Sequence, residues 1–226
     1  MTRSSQDRRA WPVPAALVLL SVIPVTAGVL RLVQLTGGPA LMPADARFPG
    51  FPAALVVHIL GAGIYALAGA FQLVPRLRRR HLAWHRRAGR LLVVAGLLVA
   101  GSALWLTLCY PPKPGTGDLL YVFRLAFGSG MAAALVLGFA AIRRHDVAAH
   151  RAWMIRAYAI GLAAGTQAFT EGFAGAVFGT GELVGDLAKG AGWALNLAVA
   201  EWAVRRGTPR RTRPRAARPT PAGALS

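Results

Sequence analysis

Ionisable and amide side chains inside apolar segments are costly in a bilayer and point first to function. His58, Arg124, Gln167, Glu171 and Asp186 are such residues, each set a few positions in from the same side of its apolar segment. Their spacing predicts a polar layer about 5–10 Å below one surface, at 1.5 Å of rise per residue. Such a layer can hold the head of a small amphipathic ligand, a quinone or a lipid, in a cavity, or pass a proton between His58 and Glu171. Arg124 and Glu171, at matching depth, are expected to pair. Arg31 and Lys189 lie in the same region, where long stems let their charges reach the surface. The same groups also read as bonds that only hold helices together, with no ligand.

The histidines suggest a second chemistry. A b-type haem in a membrane is held by histidines from different helices. His58 is alone in the polar layer, while His81, His85, His145 and His150 stand among arginines at the opposite side. His85 and His150 open segments that run the same way, so His85, His150 and His58 are the candidate haem ligands. His81 and His85 have metal-like i, i+4 spacing, but the surrounding arginines repel a bare cation, and no metal is assigned. The single cysteine, Cys109, excludes an internal disulfide and cysteine-ligated clusters. No phosphate-binding glycine loop, nucleophile elbow or zinc-protease helix is present, so no catalytic residue is assigned.

Six apolar runs must position these groups, at about 11–35, 52–74, 89–109, 119–142, 152–173 and 183–204. Each is near the roughly 20 residues that cross the hydrocarbon core. With 55% apolar residues and a mean hydropathy of +0.46, the chain is not a soluble domain. Most of its net charge of +18 lies in the joints. All Lys and Arg except Arg31, Arg47, Lys113, Arg124 and Lys189 fall at one side of the six runs. That bias predicts an all-α integral inner-membrane protein, a six-transmembrane-helix bundle with both termini in the cytoplasm. Its partner is the bilayer, through anionic headgroups at the basic face, rather than nucleic acid. Residues 1–10 form a short cytoplasmic lead, and the Arg/Pro-rich 205–226 is expected to be disordered. The first run resembles a secretory signal as far as Ala27. It continues to Leu35 and is read as an uncleaved helix, kinked near Pro24.

Finer patterns follow. His58, Tyr65 and Gln72 share a helix face, as do Arg156, Ile160, Gln167 and Glu171, and Asp186, Lys189, Trp193 and Asn196. These stripes should turn inward. The segment His81 to Arg90 is echoed by His145 to Arg156, and His58 by Arg124, at offsets of roughly 65, which suggests two parallel hairpins.

His58-Ile59-Leu60-Gly61, then Gln72, then His85-Arg86-Arg87-Ala88-Gly89-Arg90, and finally His150-Arg151-Ala152-Trp153-Met154-Ile155-Arg156 form a distinctive series. Over about Pro52 to Glu171 the chain resembles the bacterial family of predicted membrane proteins labelled domain of unknown function 2306. The resemblance implies an architecture rather than a mechanism. It singles out His58, His85, Arg90, His150, Trp153, Met154 and Arg156 as the positions to test. Physically, the last segment reads as an interfacial lock. His150 and Arg151 lie at headgroup level, Trp153 in an aromatic belt, and Arg156 one turn deeper. At that depth Arg156 needs a partner, either Gln72 or Glu201.

Overall fold

A computed structural model describes residues 12–48 and 50–206. The expected cytoplasmic lead and most of the Arg/Pro-rich tail lie outside the described residues. Among those described, the structure is all-helical. The helices are α1 (Pro12–Leu35), α2 (Ala53–Gln72), α3 (Pro75–Arg80), α4 (Leu82–Cys109), α5 (Asp118–Arg143), α6 (Val147–Gly161), α7 (Ala163–Phe178) and α8 (Glu182–Arg206). Four of them, α1, α2, α4 and α5, are long and apolar enough to cross a membrane.

Two antiparallel hairpins, α2–α4 and α5–α6, pack on each other, with α1 against α2 and α7, and α8 against α7, α6 and α5. The core lies between the hairpins. Tyr65, Ala66 and Ala70 of α2 meet Leu92, Val99 and Ala100 of α4, and Met131, Ala134 and Leu135 of α5 meet Ala157 and Tyr158 of α6. Small residues at helical spacing let these helices approach closely, as lipid-embedded packing requires. Gly69 is one such place: the Tyr158 ring occupies the space a Cβ would take, and its hydroxyl donates to the Ala66 carbonyl at 2.7 Å. Large apolar side chains cover the outside instead, among them Leu60, Ile64, Leu91, Val122 and Val136. A water-exposed surface would not carry so many.

Three boundaries differ from the sequence reading. The run expected as one helix over 152–173 is two, divided at Leu162, a turn residue at φ −86° and ψ −3°. Gly161 and Gly165 flank that break and pack tightly, against Tyr65 and Met131 on one side and Leu20 on the other. The joint at 143–151 is shorter than expected. His145, at φ 61°, ends α5 in the left-handed region, and Asp146 caps α6 by accepting from the Ala149 N–H at 2.9 Å. The 75–88 joint holds the short helix α3 and the start of α4. Helix α1 runs unbroken through Pro24. Proline brings no N–H to the Leu20 carbonyl, and Gly165 of α7 packs against that same carbonyl.

Candidate functional site

The predicted polar layer divides into three bonded groups and one cation between them. His58 of α2 reaches α4, its Nδ1 lying 3.2 Å from the Val99 carbonyl and 3.2 Å from Ser102 Oγ. Ser102 gives its own proton to the Leu98 carbonyl at 2.6 Å. Both neighbours of Nδ1 therefore act as acceptors, so the proton sits on Nδ1 and the Nε2 lone pair is left to present elsewhere. Ser102 is a component that the sequence could not supply, since nothing in the chain sets the register of α2 on α4.

Asp186 is buried at 1% exposure. Its carboxylate accepts from the Gly117 N–H at 3.1 Å and the Leu120 N–H at 3.0 Å. An α8 side chain thus caps the start of α5, where unpaired N–H groups and the helix dipole favour negative charge.

The third group joins α7 to α8. Gln167 Nε2 donates to the Lys189 carbonyl at 3.1 Å, and Glu171 pairs with Lys189 Nζ at 2.6 Å. The expected Arg124–Glu171 pair is not formed. Helix α7 packs on α8 and α1, so the cation nearest Glu171 comes from α8. Deeper, Thr166 donates to Asn196 at 2.7 Å and Asn196 to the Ala159 carbonyl at 3.0 Å, while Trp193 stacks on Phe127. The expected inward stripes of α7 and α8 are present, and they bond helix to helix.

Arg124 is the centre of this layer. Its charge acts on His58, and the charges of Asp186, Glu171 and Arg47 act on it. Among the described residues it makes no hydrogen bond or ion pair. Arg47 is carried there by the 36–48 segment, which folds over the helix ends through Arg31 to the Pro43 carbonyl and Gln34 to the Met42 carbonyl, each 3.0 Å. Asp45 and Arg47 form a two-point pair with bonds of 2.6 and 2.8 Å, and Phe48 packs edge-on against Tyr110. Beside this strap lies a recess of about 200 Å³ lined by Arg31, Gln34, Asp45 and Phe48, among others. Arg124 and His58 are not among its lining residues.

At the other end, Arg156 meets one of its two expected partners. Arg156 binds Glu201 of α8 through Nε–Oε1 at 2.5 Å and Nη2–Oε2 at 3.0 Å, and its guanidinium lies 4.9 Å from the Trp153 ring centre. Gln72, the other partner considered, does not take part. His150 Nδ1 lies 2.8 Å from the Gly138 carbonyl of α5, and Trp153 and Met154 pack on Gly138. His85 faces inward with its Nδ1 buried and unpartnered, and the same holds for both amide atoms of Gln72. Arg90 is exposed on α4. No group of three or more His, Cys, Asp or Glu able to hold a metal occurs among the described residues.

Among the described residues, an all-helical bundle with four membrane-length apolar helices and large apolar side chains over its outside is an α-helical membrane protein. Residues 55–204 match the family described as predicted membrane protein (DUF2306), and the chain belongs to that family. No curated protein and no solved structure matches it.

Proposed function

We propose that this chain is a six-span inner-membrane protein, with both termini in the cytoplasm, that binds a small amphipathic ligand through Arg124 and His58. The observation that carries the binding is Arg124 itself. It stands six residues into α5, about 9 Å along the helix at 1.5 Å per residue. Its neighbouring carboxylates are already committed, Asp186 to the α5 backbone and Glu171 to Lys189. An unpaired guanidinium at that depth favours a carbonyl or acidic head, with His58 Nε2 beside it and the tail among the bundle's apolar side chains.

The wider membrane reading has its own support. The faces of α7 and α8 turned away from the bundle carry Phe169, Phe173, Val177, Leu187, Leu195 and Val199, all exposed. The charged residues inside α8, away from its first residue and its last turn, are Asp186, Lys189 and Glu201, and each is bonded. This fits the fifth and sixth spans of the proposal. At the basic end, Arg206 lies 4.1 Å over the Trp202 ring and Arg156 over Trp153, a pairing suited to anionic headgroups at an interface.

The test is the melting temperature of the detergent-purified protein with added decylubiquinone or phosphatidylglycerol. One of the two should raise it in the wild type and not in Arg124→Gln, and which one does so separates quinone from lipid. A rise of equal size in both proteins, or none with either compound, overturns the binding.

A further inference from the structure

We propose that His85 and His150 hold the iron of a haem between them at the Arg-rich end of the bundle, with Gln72 positioning His85. This site is independent of the Arg124 site, at the opposite end of the same helices.

The two imidazoles come from the first turns of α4 and α6, which pack on each other. They are near enough for the charge of one to act on the other. His150 is already set for ligation. With Nδ1–H donated to the Gly138 carbonyl at 2.8 Å, its tautomer is fixed and the Nε2 lone pair is free. This is how metal-bound histidines are ordinarily oriented.

His85 lacks only that orienting bond. Its Nδ1 is buried without a partner, and so are Oε1 and Nε2 of Gln72. A buried polar group without a partner is costly, so each of these gains by finding one. Gln72 Oε1 lies against Gly89, one turn beyond His85 on the same helix. In the proposed site Oε1 accepts from His85 Nδ1–H, which orients the ring and frees Nε2 for iron. Gln72 then does for His85 what the Gly138 carbonyl does for His150.

The ligand count selects a porphyrin over a bare ion. A protein-bound zinc needs three or four side-chain ligands, and no such group occurs among the described residues. Two imidazoles are enough for an iron that already has four porphyrin nitrogens. The charges of Arg78 and Arg86 act on His85. They repel a free dication but complement two propionates. Trp153 and Met154, seated on Gly138, give the ring an apolar wall.

The experiment is an absorption and electron paramagnetic resonance study of the full-length protein purified from haem-supplemented cells, with hemin titrated into any empty fraction. The wild type should show a Soret band that shifts with dithionite and a low-spin ferric signal of two imidazole ligands. His85→Ala and His150→Ala should lose both, whereas His81→Ala and His145→Ala keep them. Gln72→Leu should weaken haem affinity about tenfold, the effect usual for a residue that orients a ligand. If the alanine variants do not elute as single folded species, His85→Met and His150→Met replace them, and each should change the low-spin signal. A wild type that takes up no hemin, a high-spin signal, or spectra unchanged by substitution at both positions overturns the proposal.

Discussion

Arg156 of α6 and Glu201 of α8 meet in a two-point hydrogen-bonded pair, the only charge-to-charge clamp found between these two helices among the described residues. Both side chains keep part of their surface open, so the pair is worth about 0.5–1 kcal/mol rather than the value of a buried bridge. Arg156→Glu places two carboxylates together and should cut the yield of folded protein several-fold. The exchange Arg156→Glu with Glu201→Arg should recover most of it. Size-exclusion profiles of the two variants decide this, and wild-type yield from Arg156→Glu alone would remove the clamp.

Asp186 holds two N–H groups at the start of α5 from a position without solvent. Losing a cap costs about 1 kcal/mol, and leaving the two donors buried and unmet adds more. Asp186→Ala should therefore destabilise by about 2–3 kcal/mol, and Asp186→Asn, which keeps one acceptor, by less. The ranking is read from melting temperatures, and an alanine variant as stable as the asparagine one would contradict it.

Gly165 is seated on the Leu20 carbonyl, the acceptor that Pro24 leaves without its helical donor. A Cβ at position 165 meets backbone, which cannot swing aside. Gly165→Val should cost about 1–3 kcal/mol, as overpacking does, and detach α1 from α7. A cysteine pair placed across the α1–α7 contact should then crosslink in the parent protein and fail to do so in the variant.

The strap over the helix ends depends on pH. The Arg47 guanidinium, by its hydrogen bonds to Asp45, holds that carboxyl below its ordinary value of 3.8. A carboxyl whose folded value is depressed contributes stability above its unfolded value, and that contribution is lost as pH falls through the folded one. The strap should stay closed at neutral pH and loosen below about pH 4. At pH 7, Asp45→Asn should reproduce the loosening as several-fold faster amide exchange over residues 36–48. Equal exchange in both proteins would sever the strap from this pair.

Cys109, the only cysteine and an exposed one, ends α4 next to the 110–117 turn. The proposed topology puts it on the outer face of the membrane. A membrane-impermeant maleimide should label it in intact spheroplasts and not in sealed inverted vesicles. The reverse pattern would invert the topology.

The sequence determined the kind of molecule. Apolar runs of membrane length and arginines gathered in alternate joints are one-dimensional facts, because the bilayer imposes its thickness and its charge bias on each segment separately. The need of Arg156 for a partner was legible in the same way, since the cost of an unpaired guanidinium within an apolar run does not depend on the fold. What the chain could not contain was the register of one helix on another. That register gave Glu171 to Lys189 rather than Arg124, turned Asp186 into a cap for α5, and brought Ser102 to His58. It also broke the run at 152–173, where Gly161 and Gly165 meet α2, α5 and α1. A helix face shows which side chains turn inward. Only the packed bundle decides what each one touches, because in lipid that choice rests on close contact and hydrogen bonds between helices rather than on hydrophobicity.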